Sequence, residues 1–345
     1  MPRTATIKLS ICISTLNRAA FIGSTLASII AQATADLEIV VVDGASTDNT
    51  EQVVMEHARR FDRLRYVRQD TNNGVDRDFD RAVELARGEY CWLLADDDLL
   101  KPGAVTAVLK TLDQDFSLIL VNAEHKNFDM SNVLIPNYFC IDSDRVYTSD
   151  DLDRLFTDLG TCLICICCVV IKREIWLARD RGRYYGSRFV HVGVIFQRAL
   201  PGKTLAIAEP LMSLRIGNEQ THMTERFQTW SINWPAVIWS LAVSESVKRK
   251  VCEPEPWRGF RYLLALRATK RYFLSDYRRW IRPRLSLWRQ TLLPSLVAIL
   301  PRKAAHQLYR LAAVVSRGPN SPRDAVETTI PRSWRSFLDA AANDG

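Results

Sequence analysis

From residue 7 onward the chain alternates between short apolar runs and amphipathic helical patterns, and few folds accept that alternation. Residues 7–15 read as a strand, and after Asn17 the residues Ile22, Leu26, Ile29 and Ala33 recur at helical spacing. Residues 38–43 make a second apolar run, followed by Asp48 and Glu51 at capping-box spacing ahead of Val54, Ala58 and Phe61. A weaker strand over 63–69 precedes a helix with Phe79, Ala82, Val83 and Ala86 on one face, and residues 90–95 form the next strand. Pro102 opens a helix with Val105, Val108, Leu109 and Leu112 inward, and 117–122 returns as strand. This order predicts an α/β, doubly wound, mainly parallel sheet with helices on both faces. With 345 residues and 47% hydrophobic content, the chain has room for such a domain and an appendage.

Ligands of such sheets bind beyond the carboxyl ends of the strands, and the polar residues gather there. Thr15, Asn17 and Arg18 follow the first strand, Asp43, Ser46 and Asp48 the second, and Asp96, Asp97 and Asp98 the fourth. Three adjacent carboxylates repel unless a cation answers them. Hard ions such as Mg²⁺ are held by one or two carboxylates together with phosphate oxygens, so a phosphorylated ligand is the expected companion. The triplet alone leaves open an acidic turn capping the next helix; Thr15 and Asn17, and Ser46 and Asp48, have the same capping alternative.

Four motifs in order carry a resemblance: Ile13-Ser-Thr-Leu-Asn-Arg18, Val41-Val-Asp-Gly-Ala-Ser-Thr-Asp-Asn-Thr50, Gly88-Glu-Tyr-Cys-Trp-Leu-Leu-Ala-Asp-Asp-Asp98 and Leu211-Met-Ser-Leu-Arg215. Over residues 7–215 the chain resembles the family 2 inverting glycosyltransferases, which have the GT-A fold with a Rossmann-like nucleotide-binding half. Gly74-Val-Asp-Arg-Asp-Phe79 is most similar to bacterial abequosyltransferases and related O-antigen enzymes, which implies a dideoxyhexose donor. The resemblance implies that Asp43 contacts the nucleotide base, and that Thr15, Asn17, Arg18 and Asp76 line the nucleotide-sugar pocket. It makes Asp97 the direct ligand of a divalent metal (Mg or Mn), with Asp96 and Asp98 at ribose, at a second coordination site or in catalysis. Relatives often have Asp-x-Asp-Asp, whereas Ala95 stands here at the first of those positions. Arg215 and His222 follow where relatives carry an Arg-x-His element near the donor diphosphate.

Inversion needs a base. The family supplies it from a Glu-Asp pair, and this chain has His191 and Val192 at those positions. An imidazole titrating near neutrality suits the task, so His191 is the expected base, with Asp180 and Asp76 next; a buried histidine satisfying a carbonyl is the alternative. The run over 162–171, with Cys162, Cys165, Cys167 and Cys168, reads as a buried strand using Cys as a small apolar residue, and neither zinc nor disulfides are expected.

Three regions are expected: 1–225 as the GT-A domain, 226–317 as a basic, Trp- and Arg-rich helical appendage, and 318–345 as a poorly ordered tail. Residues 226–317 hold 18 Lys and Arg against four Asp and Glu. No zinc-finger, RNP or helix-turn-helix pattern accompanies that charge, so nucleic acid is not an expected partner. Trp230, Trp234, Trp239, Trp257, Tyr262, Tyr272, Trp280 and Trp288 beside basic residues suit an anionic inner-membrane surface. The longest apolar stretch is far shorter than the ~20 residues of a spanning helix, and no signal peptide is evident. A cytoplasmic, peripherally membrane-bound enzyme using a polyprenyl-diphosphate-linked saccharide acceptor follows. An inactive scaffold and a sugar nucleotidyltransferase are the competing readings.

Overall fold

The computed structural model describes residues 7–218 and 225–315. The chain divides into two compact units, 1–218 and 219–345, so the boundary falls slightly before the expected residue 225. The expected tail over 318–345 lies outside the described residues.

The first unit holds strands β1 (Leu9–Thr15), β2 (Leu37–Asp43), β3 (Leu64–Arg68), β4 (Tyr90–Ala95), β5 (Leu99–Leu100), β6 (Leu118–Lys126), β7 (Val133–Ile135), β8 (Arg145–Tyr147), β9 (Val169–Lys172) and β10 (Thr204–Arg215). Their order across the sheet is β3-β2-β1-β4-β9-β6-β10-β5, with β7 beside β6 and β8 beside β10. Strands β3, β2, β1 and β4 run parallel, as do β6 and β10, while β9 is antiparallel to both β4 and β6. Two reversals restore the direction, so β1, β2, β4 and β10 all end at the same edge.

Helices α1 (Ala19–Ile30), α2 (Thr50–Ala58), α3 (Val75–Leu85) and α4 (Ala104–Leu112) follow the expected pattern. Helices α5 (Leu152–Leu159), α6 (Arg173–Leu177) and α7 (Val190–Phe196) complete this unit's larger helices. Every residue of β1 and β2 is buried, as strands covered on both faces must be. Just before β4, a Cβ added to Gly88 would stand 2.7 Å from Ser10 Oγ and 2.8 Å from Ser10 N, so only glycine lets the chain approach β1.

Two local expectations are corrected. Asp48 and Glu51 form no capping box: Asp48 Oδ1 accepts from Thr50 N at 3.0 Å and Thr50 Oγ1 at 2.5 Å, while Oδ2 accepts from Ala19 N at 3.1 Å. The cysteine run is not one strand. Strand β9 begins only at Val169, because the residues before it cross the end of β4. There Cys167 O accepts from Trp92 Nε1 at 2.8 Å and Cys167 Sγ from Ala95 N at 3.2 Å. The eight cysteines are free thiols.

The second unit is helical, with a core that includes Phe227, Trp257, Tyr262, Leu263, Tyr272 and Ile281. Trp234, Trp257, Tyr262 and Tyr272 are buried, which corrects their reading as membrane anchors, whereas Trp230, Trp239 and Trp280 are half-buried. The side chain of Trp288 lies outside the described residues. Among the described residues, no helix is long and apolar enough to cross a membrane.

Candidate active site at the strand ends

The acidic triplet leaves the sheet at the end of β4, and β5 then pairs antiparallel with β10 through Leu99–Ser213 and Leu100–Met212. That pairing pins the triplet beside the strand that ends in Arg215. Backbone N of Arg215 donates to Asp98 Oδ1 at 2.8 Å, its Nε donates to Asp97 O at 3.1 Å, and its Nη1 donates to Phe128 O. From the other side, Arg18 Nε stands 3.4 Å from Asp96 Oδ1, and Arg18 Nη2 3.6 Å from Asp97 Oδ2. Both guanidinium groups lie over the Phe21 ring, at 5.6 and 5.2 Å. Asn218 Nδ2 donates to Asp97 Oδ2 at 2.7 Å.

Burial and then the Asp97 charge push the Asp96 carboxyl up to about 7 and the Asp98 carboxyl well above the usual carboxylate range. Both oxygens of Asp98 accept a hydrogen bond, since Cys167 Sγ donates to Oδ2 at 3.0 Å. Among the described residues, no three His, Cys, Asp or Glu side chains form a ready-made metal cage.

The loops after β1 and β2 are sewn together. Asn17, at φ 55°, donates its N–H to Ser46 Oγ at 2.8 Å, while its Oδ1 accepts from Thr47 N at 2.7 Å and Asp48 N at 3.3 Å. Arg18 N donates to Thr50 Oγ1 at 2.9 Å. The Asn17 side-chain oxygen is therefore engaged in the loop and helps to shape the turn that presents Arg18. Thr15 is buried at the end of β1, and its Oγ1 has no hydrogen-bond partner.

Asp43 is fully buried at the end of β2, with Oδ1 accepting from Ser46 N at 2.7 Å and Oδ2 from Tyr66 OH at 2.6 Å. A second carboxylate, Asp78, faces the same corner. It is 2% exposed, its Oδ1 has no hydrogen-bond partner, and burial with the nearby Asp43 charge raises it to about 6.

Helix α3 buries three aspartates on two faces. Asp76 and Asp80, one turn apart, point toward α6 and α7, and Asp78 points the other way. Asp76 Oδ2 accepts from Arg188 N at 2.8 Å and Oδ1 from Val190 N at 3.3 Å, so it caps the start of α7. This corrects its expected place in the nucleotide-sugar pocket and as a reserve base. Asp80 accepts from Trp176 Nε1 at 2.8 Å and pairs with Arg181 at 2.9 Å. Asp180 is exposed in a turn, accepting from Arg183 N at 3.3 Å.

His191 is also corrected. It is 1% exposed, Nε2 is 2.8 Å from Leu163 O and therefore donates to it, and burial lowers its pKa to about 4. In this enclosure the imidazole matches the alternative of a buried histidine satisfying a carbonyl. His222 lies outside the described residues.

Sequence reasoning found Arg18, Arg215 and the triplet, and the structure brings them together. It passed over Phe21, Tyr66, Cys167 and Asp78; only Asp78 had a signal, inside the Gly74–Phe79 motif.

Residues 10–174 match Glycosyl transferase family 2. Abequosyltransferase RfbV of Salmonella typhimurium is 29% identical over 224 residues, covering 61% of this chain and 67% of that protein. The GalNAc(5)-diNAcBac-PP-undecaprenol beta-1,3-glucosyltransferase of Campylobacter jejuni is 31% identical over 116 residues, 33% of this chain and 38% of that one. Among solved structures, S. aureus TarS 1-349 in complex with UDP-GlcNAc superposes with a TM-score of 0.57 at 14% identity, covering 89% of this chain and 92% of that one. Mannosyltransferase PcManGT of Pyrobaculum calidifontis, in complex with GDP-Man and Mn²⁺, gives 0.52 at 15% identity, with 97% and 86% covered.

Proposed function

We propose, from the premise that residues 10–174 of this chain are a family 2 glycosyltransferase domain on a GT-A fold, that it transfers one sugar with inversion from a nucleoside diphosphate donor to a lipid-linked saccharide. The observation that carries this reading is the meeting of Asp96, Asp97 and Asp98 with Arg18 and Arg215 at the shared strand ends.

A divalent metal (Mg or Mn) fits the donor set. The donors are all carboxylate oxygens, and Asp96 and Asp98 are raised in part by the charge of Asp97, a repulsion that a cation removes. Asp97 would hold the ion, with Asp96 and Asp98 alongside; when bound, the ion supplies positive charge to the diphosphate leaving group. Arg18 restrains Asp96 and Asp97, and the backbone N–H of Arg215 orients Asp98, so the carboxylates are positioned before ligand arrives. The bond from the anomeric carbon to the diphosphate breaks while the acceptor oxygen attacks from the opposite face and gives up its proton to a base.

Similarity to RfbV supports a dideoxyhexose such as abequose, and similarity to the Campylobacter enzyme supports a polyprenyl-diphosphate-linked acceptor for surface polysaccharide at the cytoplasmic side of the membrane. The enclosed His191 gives one specific reason to keep an inactive scaffold as the second reading.

Thermal stabilisation by CDP, UDP, GDP and TDP, each with and without Mn²⁺, tests the site. Stabilisation by one nucleotide that requires the ion and disappears in Asp97→Asn is the expected result. A response to none of them, together with no donor hydrolysis or transfer, overturns the enzymatic reading in favour of the scaffold.

A further inference from the structure

The second unit carries an apolar face where a helix ordinarily meets water. The helix Trp288–Ile299 packs inward through Val297 and Ala298, which are 1% and 2% exposed. Its outward positions are Leu292, Leu296 and Ile299, at spacing i, i+4 and i+7, with Leu293 on their flank. These four are 51%, 55%, 58% and 47% exposed. The following helix, Arg302–Val315, also packs on Phe260–Ala268 and adds Leu308 and Leu311, 40% and 62% exposed. Scattered surface leucines need no explanation, but a run of them along the outer side of a helix does.

The charge around the face identifies its partner. Residues 277–317 contain nine Lys and Arg and no Asp or Glu. Lys303 and Arg310 are exposed within the second helix, and Arg282 and Arg284 are exposed just before the first. An aliphatic stripe on a segment whose charged residues are all basic is what an anionic bilayer accepts, with leucines entering the acyl boundary and guanidinium and ammonium groups meeting phosphate. A second copy would bring the same positive field against itself.

We infer that the outward face of the helix Trp288–Ile299 docks the protein on an anionic membrane by inserting aliphatic side chains. The proposed anchor is thus aliphatic, while Trp257, Tyr262 and Tyr272 belong to the core of the unit. The inference stands independently of the donor chemistry proposed above.

Sedimentation of the full chain with vesicles of phosphatidylcholine, alone or with about 30% phosphatidylglycerol, is the test. The parent binds the anionic vesicles, more weakly at 0.5 M than at 0.05 M NaCl. Leu292→Glu with Leu296→Glu lowers partitioning at least tenfold, and Lys303→Glu with Arg310→Glu lowers it on anionic vesicles alone. Both variants keep the parent's melting temperature and nucleotide response, which separates loss of docking from loss of the donor site. Equal binding by the leucine variant, or no binding by the parent, overturns the inference. So does a parent that is dimeric by light scattering and becomes monomeric on the leucine substitutions, since the face then belongs to a second copy.

Discussion

Asp78→Asn should make the protein more stable at neutral pH, although it removes a charged residue beside Asp43. Asp78 is 2% exposed, Oδ1 has no hydrogen-bond partner, and its carboxyl is held at about 6 by burial and by Asp43, against an ordinary value of 3.8. A carboxyl whose folded value exceeds its unfolded value contributes its full stability below the unfolded value, and that contribution is lost as pH rises through the folded one. The interval is roughly two pH units, or about 3 kcal/mol at most at 1.36 kcal/mol per unit. Relaxation around the ionised group reduces this, so a gain of about 1–2 kcal/mol is expected for the neutral amide at pH 7.5. Urea unfolding followed by tryptophan fluorescence, run at pH 4 and pH 7.5, reads it directly. The variant and parent should lie close together at pH 4 and separate as pH passes 6. A variant no more stable at pH 7.5 than the parent, or a gap that does not change with pH, would refute the argument that Asp78 is held ionised against its surroundings.

Other substitutions test the framework. Asp76→Ala removes the acceptor for Arg188 N and Val190 N at the start of α7, and should cost about 1–3 kcal/mol in the urea midpoint. In Gly193→Ala the new Cβ would lie 2.1 Å from Tyr184 Cδ1, an overlap expected to cost about 1–3 kcal/mol or more and to show as a lower melting temperature. His191→Gln should keep turnover within a few-fold while losing about 1 kcal/mol of stability from the Leu163 contact; a thousandfold fall in kcat with the fold intact would restore His191 as the base.

The sheet was legible because its strands are buried on both faces and therefore apolar at every position, as in β1 and β2. The same property misled at residues 162–171, where apolar composition does not distinguish a strand from a turn that packs against the end of β4. The triplet and Arg18 were legible as strand-exit residues, but nothing in spacing says that Arg215 holds Asp98 through its backbone, because that contact comes from the β5–β10 pairing over more than a hundred residues. Asp76 read as a pocket residue, and Asp78 and Asp80 carried no reading of their own; three buried carboxylates emerge only once α3 is packed between β2 on one side and α6 and α7 on the other. His191 shows the limit of positional analogy, since occupying the position of a family base does not open it to a substrate.

The reversed strand β9 also sets an order of assembly. Among the described residues it is the sole link in the sheet between the block β3-β2-β1-β4 and the block β6-β10-β5, and it lies some 70 residues beyond β4 in the chain. A nascent chain can complete the first block early from nearby segments, but the second joins it only when β9 slides between β4 and β6. Arg215 and Asn218, which steady the triplet, arrive later still. Until they do, the three carboxylates stand at an unfinished sheet edge, so competence to bind a charged donor should appear in the last kinetic phase of refolding, after most of the secondary structure has formed.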